Sequence, residues 1–90
     1  MTTRVIYKYR FDGHTLTAPR GNVVLVAYEG RLNELPTIWI EHELEASTTE
    51  YMIRGTGQQF DPIEQHVGST QCGRYVWHVY RPTHPHPETG

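Results

Sequence analysis

Apolar and polar residues alternate along most of this chain with a period of two, and the 3.6-residue period of an amphipathic helix is almost absent. In RVIYKYRF, Val5, Tyr7, Tyr9 and Phe11 fall on one face and Arg4, Lys8 and Arg10 on the other, with Ile6 the exception. Asp12-Gly13 is a turn signal that favours positive φ. HTLTAP continues as a short second strand, stopped by Pro19 and the Arg20-Gly21-Asn22 turn. NVVLVAYEG is apolar on both faces from Val23 to Ala27, which predicts the central strand of a sheet. After the loop GRLNELP, TIWIEHEL sets Ile38, Ile40, His42 and Leu44 against Trp39, Glu41 and Glu43. EASTT then turns the chain into EYMIR, where Tyr51 and Ile53 oppose Met52 and Arg54.

The one helix signal follows Gly57. Asp61 suits an N-cap, Pro62 the first helical position, and Glu64 the acid of a capping box. Only about one turn fits before HVGST resumes extended structure. QCGR predicts a hairpin, YVWHVYR a β-prone last strand, and PTHPHPETG an extended tail. The expected architecture is all-β with at most one short helical turn. About six or seven strands form an antiparallel meander that closes as a small barrel or a sandwich. Residues 1–81 make a single β domain and 82–90 a Pro/His tail.

Composition narrows this picture. In 90 residues, six Tyr, two Trp and two Phe must supply much of the core. A formal net charge of -2 argues against nucleic acid as the main ligand, because counterion release needs a basic face. It leaves room for a small anionic ligand in a local pocket. Cys72 is the single cysteine, so no intrachain disulfide can form, and its place on a turn reads as exposed. MTTRVIYKYRF lacks the apolar run of a signal peptide, and no segment approaches the roughly 18 apolar residues of a membrane helix. The expectation is a cytoplasmic protein that does not engage a membrane.

The candidate chemistry centres on MIRGTGQQFDP. A Walker loop needs Lys-Ser/Thr after its second glycine, and a dinucleotide fingerprint needs a third glycine and an immediate helix; neither is present. Gly55 and Gly57 then either permit a bulge or left-handed turn, or expose backbone N–H groups to a small anion. In the second case Arg54, Thr56, Gln58 and Gln59 form the rim. Among the six histidines, His42 reads as a partly buried, hydrogen-bonded residue, while either face of the strand carrying His78 could be the buried one. HELE lacks the second histidine of a zincin, and His84-Pro-His86 cannot close a metal site. No metal or cofactor is expected. Cys72, Ser47 and Ser69 are possible nucleophiles, but no nucleophile elbow is present. Trp39, Tyr28, Tyr75 and Tyr80 are candidates for an exposed binding face beside Arg54 or Arg74, with completion of the core as the alternative.

The succession of Tyr7-Lys8-Tyr9, Val23-Val24-Leu25-Val26, Gly55-Thr56-Gly57, Val67-Gly68-Ser69-Thr70 and Val76-Trp77-His78-Val79-Tyr80 resembles a family of small proteins encoded by bacteriophages and prophages. The likeness runs from about Val5 to Tyr80. The family carries no assigned function, so the resemblance implies an origin and a size class rather than a chemistry. Its members often place His after Gly-Thr-Gly, where this chain has Gln58, which counts against a histidine-based catalyst there. The resemblance implies a non-enzymatic binding protein acting stoichiometrically on a host protein, in host takeover or counter-defence. One alternative is a homo-oligomeric sponge for a small anionic nucleotide, and another is a minor virion decoration protein. The expected binding residues are Arg54, Gly55, Thr56, Gly57, Gln58, Gln59, Trp39, His78 and Tyr80. A homo-oligomer, dimer or higher, is expected from the aromatic face.

Overall fold

The computed structural model describes residues 3–30, 35–58 and 64–82. They form β1 (Arg4–Arg10), β2 (Thr15–Pro19), β3 (Asn22–Ala27), β4 (Thr37–Glu43), β5 (Thr48–Gly55), β6 (Glu64–Cys72) and β7 (Tyr75–Pro82). Every pairing is antiparallel. One sheet has the order β1-β4-β3 and the other β2-β5-β7-β6. The all-β antiparallel expectation holds, and the closure is two facing sheets. Sequential pairing, as in a meander, survives only at β3–β4 and β6–β7. At Asp12-Gly13 the chain leaves the first sheet for the second, so Phe11 and the following Leu16 and Ala18 enter one core from opposite layers.

That core explains the alternation. Ile38 and Ile40 from one sheet meet Ala18, Tyr51, Ile53 and Val79 from the other, with Phe11 at the crossing; all are buried. Each such large side chain contributes about 1.5–3 kcal/mol through burial. The Tyr51 hydroxyl reaches the interior's edge and donates to the Pro19 carbonyl at 2.9 Å. His42 is also buried. Its Nδ1–H donates to the Glu43 carbonyl at 2.7 Å, because a carbonyl can only accept, which leaves Nε2 to accept from the Tyr9 hydroxyl at 2.8 Å.

Four expectations change. The strand from Asn22 to Ala27 is an edge, not a centre, and Val24 and Leu25 are about half exposed. A bulge at Val24, between the Val23–Ile40 and Leu25–Trp39 pairs, keeps Val23 and Val26 inward and sends Leu25 out. The apolar run that reads as two buried faces is therefore one buried face plus an irregularity. Cys72 is buried rather than exposed, since it closes the β6–β7 hairpin against Tyr75 with its side chain turned inward. β6 is extended from Glu64, so Glu64 and Gln65 are not helical; Asp61 and Pro62 lie outside the described residues. Pro82, read as the first residue of the tail, pairs with Glu64 as the end of β7; residues 83–90 lie outside the described residues. No helix among the described residues is long and apolar enough to cross a membrane.

Candidate functional site

Gly55-Thr56-Gly57-Gln58 is a β-turn at the end of β5. The Gln58 N–H donates to the Gly55 carbonyl at 3.0 Å, and Gly57 at the third position has φ 91°. That is the left-handed conformation a type II turn demands there, and glycine adopts it at low cost. The side chain of Gln58 folds back, and its Oε1 accepts from the Gly55 N–H at 2.5 Å. Two of the backbone donors that an anion would need are thus consumed inside the turn. Gly-Thr-Gly thus forms a turn that closes on itself through its first and last residues.

What the turn does instead is hold Thr56 beside β7. Thr56 Oγ1 lies 3.0 Å from His78 Nε2, His78 Nδ1 lies 2.7 Å from Ser69 Oγ, and Ser69 Oγ lies 2.7 Å from His66 Nε2. The result is a continuous hydroxyl–imidazole chain across the outer face of the four-stranded sheet. Each neutral imidazole has one donor and one acceptor nitrogen, so the chain can be fully bonded in either direction. The ring of His66 also meets Tyr80 edge-on, with centroids 5.3 Å apart. Beside them Arg54 donates to Glu64 Oε2 at 2.9 Å. The Glu64 side chain is only 9% exposed, and its Oε1 has no hydrogen-bond partner among the described residues.

Local geometry accounts for this convergence. The hairpin turns through Gly73-Arg74, with Gly73 at φ 62°, and its register sets Ser69 opposite His78. Residues of unequal parity such as His66 and Ser69 should point to opposite faces of a regular strand. A bulge at Val67, between the His66–Tyr80 and Gly68–Val79 pairs, brings both to the outer face and turns Val67 toward the core.

A small cavity of about 170 Å³ opens here, lined by Arg54, Gly55, Thr56, Gly57, Gln58 and His78, with Tyr80 at its side. Gln59 lies outside the described residues. Trp39 is elsewhere, on the outer face of the other sheet between Lys8 and Leu25, with the Lys8 ammonium 5.9 Å from its ring centroid. The residues that sequence reasoning set aside are Ser69 and His66. Counting back from Gly73-Arg74 pairs Ser69 with His78, but nothing local announces the bulge that adds His66. A larger trough of about 520 Å³ at the end of the sandwich is lined by residues of both charges, among them Arg4, Arg20 and Arg81 with Glu41 and Glu43. Arg4 and Glu41 pair there at 3.4 Å. Among the described residues no three His, Cys, Asp or Glu side chains converge to hold a metal ion.

The chain belongs to a family described as a domain of unknown function (DUF7352), which matches residues 2–90. No curated protein and no solved structure matches it.

Proposed function

We propose that this member of the family is a binding protein that acts one-to-one on a partner, through the outer face of its four-stranded sheet. The observation that supports this is the bonded array His66–Ser69–His78–Thr56 with Arg54–Glu64 beside it. Side chains already held by one another lose little freedom when a partner covers them, which favours binding. The face is rich in the residue types that anchor interfaces: Arg54, Tyr80 and the imidazoles, with Val76 exposed at its end. The phage-type sequence pattern makes a host protein the partner of choice, with host takeover or counter-defence as the context.

The test is cross-linking in cells that express the chain, followed by reconstitution with the purified partner. Arg54→Ala and Tyr80→Ala are expected to weaken the purified complex at least about tenfold, as hot-spot truncations do. Trp39→Ala, on the other sheet, should leave affinity unchanged. Equal losses from all three variants would remove this face as the binding surface.

A second reading has its own support. The cavity at Gly55–Gln58 is small, and Arg54 and His78 are among the residues that line it. A sponge for a small anionic nucleotide would seat its ligand there. At a ligand concentration of about 100 Kd, linkage predicts about 2.7 kcal/mol of added stability, a readily visible rise in Tm. No shift across a nucleotide panel would leave the protein-binding reading.

A further inference from the structure

We propose that Ser69 is a nucleophile, activated by His78, that accepts the acyl group of a small activated ester. The inference rests on the arrangement of Ser69, His78 and Thr56 and does not depend on the partner reading above.

Three roles are filled in space by residues from three segments. Ser69 Oγ is exposed on β6 and stands 2.7 Å from His78 Nδ1, within proton-transfer distance of a base. His78 is half-buried on β7, and its other nitrogen, Nε2, lies 3.0 Å from Thr56 Oγ1. When Nε2–H donates to that threonine, the lone pair of Nδ1 is turned on the serine, which is the tautomer a general base requires. A nucleophile, a base and a third group that orients the base is the recurring logic of serine activation on unrelated folds. His66 completes the set. Its Nε2 lies 2.7 Å from the same Oγ, so as a donor it stabilises the negative charge that grows on oxygen as the serine proton departs. The same direction of donation satisfies all four groups at once.

His78 and not His66 is the base, for a geometric reason. His78 is held at both nitrogens and is half-buried, whereas His66 is exposed. As the donor to Ser69, His66 carries its proton on Nε2, so that nitrogen has no lone pair to take the serine proton. A base must present one tautomer.

The reaction balances with the chain and the ester together. Ser69 Oγ bonds to the acyl carbon as its proton passes to His78 Nδ1. The bond from that carbon to the leaving oxygen breaks, and the imidazolium proton goes to the departing alkoxide or to water. The products are an ester of Ser69 and a free alcohol. A cavity of about 170 Å³ that His78 also lines adjoins the serine and has room for a small acyl group. The turn cannot supply an oxyanion hole through Gly55 and Gln58, because those N–H groups are already bonded. Acylation and hydrolysis both lack that help, but the activated ester has a good leaving group and the ester of Ser69 does not. Hydrolysis of the acyl-serine is therefore slow, and the reaction stops near one acyl group per chain. Single-turnover chemistry of this kind suits a protein that acts stoichiometrically.

The experiment uses the full chain and 4-nitrophenyl acetate, with phenolate release followed by absorbance and the adduct mapped by peptide mass spectrometry. One acetyl group is expected on Ser69, and none on that peptide in Ser69→Ala. His78→Ala should slow labelling about a hundredfold or more, the low end of general-base contributions. Free imidazole added to His78→Ala should restore much of the rate, which no purely structural role would allow. Thr56→Ser should label like the parent and Thr56→Val more slowly. These side chains lie on an outer face, and circular dichroism of each variant verifies that the sheets are intact. Labelling spread over Lys8 and surface tyrosines, with Ser69 no faster than they are, would overturn the proposal. So would His78→Ala reacting at the parental rate, or His66→Ala abolishing a reaction that His78→Ala leaves intact. Loss of partner binding with labelling preserved would count only against the partner reading.

Discussion

The Tyr9 hydroxyl on β1 donates to Nε2 of His42 on β4 across 2.8 Å, tying the first strand to the centre of its sheet from inside. His42 is 5% exposed, and its Nδ1–H is committed to the Glu43 carbonyl. Tyr9→Phe would therefore leave a buried acceptor without a donor. A loss of about 1–3 kcal/mol is expected, read from a lowered urea midpoint at unchanged m.

The same tyrosine sets an alkaline limit. Burial pushes its phenol above the ordinary value of 10.0, and the neighbouring Tyr7 and Tyr51 push the same way. A folded pKa raised above the unfolded one means that the unfolded chain loses its proton first. Stability is complete below about pH 10 and falls as pH rises through the interval up to the folded value. Urea titrations between neutral pH and the alkaline range should show that decline, with Tyr9→Phe flattening it. Parallel curves for the two proteins would contradict the assignment.

Glu29 sets the opposite limit. Its carboxylate accepts from Lys8 at 2.9 Å, from Arg10 at 3.3 Å and from the Thr37 hydroxyl at 3.2 Å. The Lys8 hydrogen bond, helped by those from Arg10 and Thr37, holds its carboxyl below the usual value of 4.5 against an opposing effect of desolvation. With the folded pKa depressed, the stabilisation is present above the unfolded value and is lost as pH falls through the folded one. Glu29→Gln should flatten the acid limb of the stability profile below about pH 5 and reduce its sensitivity to salt.

Gly68 marks where the two sheets close on each other. A Cβ built there would overlap Val26 Cγ2 and lie 3.3 Å from Val26 Cβ. Valine has no long side chain to swing away, so Gly68→Ala is expected to cost about 1–3 kcal/mol by overpacking. Adding Val26→Ala should return part of that loss, and a double-mutant cycle would measure the coupling. Strict additivity would mean that the sheets do not meet there.

The two glycines of Gly-Thr-Gly should respond differently. Gly57 sits at φ 91°, so Gly57→Ala forces a side chain into a left-handed conformation, costing about 1–2 kcal/mol. Gly55 meets its nearest neighbours at 3.7 Å, and Gly55→Ala should be close to neutral. If the turn positions Thr56 against His78, Gly57→Ala should also disturb the His78 ring resonances in an NMR spectrum, and Gly55→Ala should not.

Much of the fold is legible in the sequence because strand identity is a local property. The inward faces of β4 and β5 follow from strict alternation, and Ile38, Ile40, Tyr51 and Ile53 are buried as that alternation requires. The candidate site is partly legible for the same kind of reason. Arg54, Thr56, Gln58, His78 and Tyr80 share one stretch of turn and two strands that pair at Arg54–His78. Trp39 reads as part of that face only because alternation gives its polarity and not its sheet.

By itself the sequence determined which segments are strands, which residues within most of them face inward, and that the chain turns near Gly57 and Gly73. Those features depend on backbone sterics and on the period of two, and both act over a few residues. Only the tertiary structure decided that Asn22–Ala27 lies at an edge, that Cys72 is buried, and that His66 joins Ser69 and His78 on one face. Each depends on a partner distant in the chain or on a bulge. A bulge forms where packing between sheets, such as Gly68 against Val26, outweighs the regular ladder.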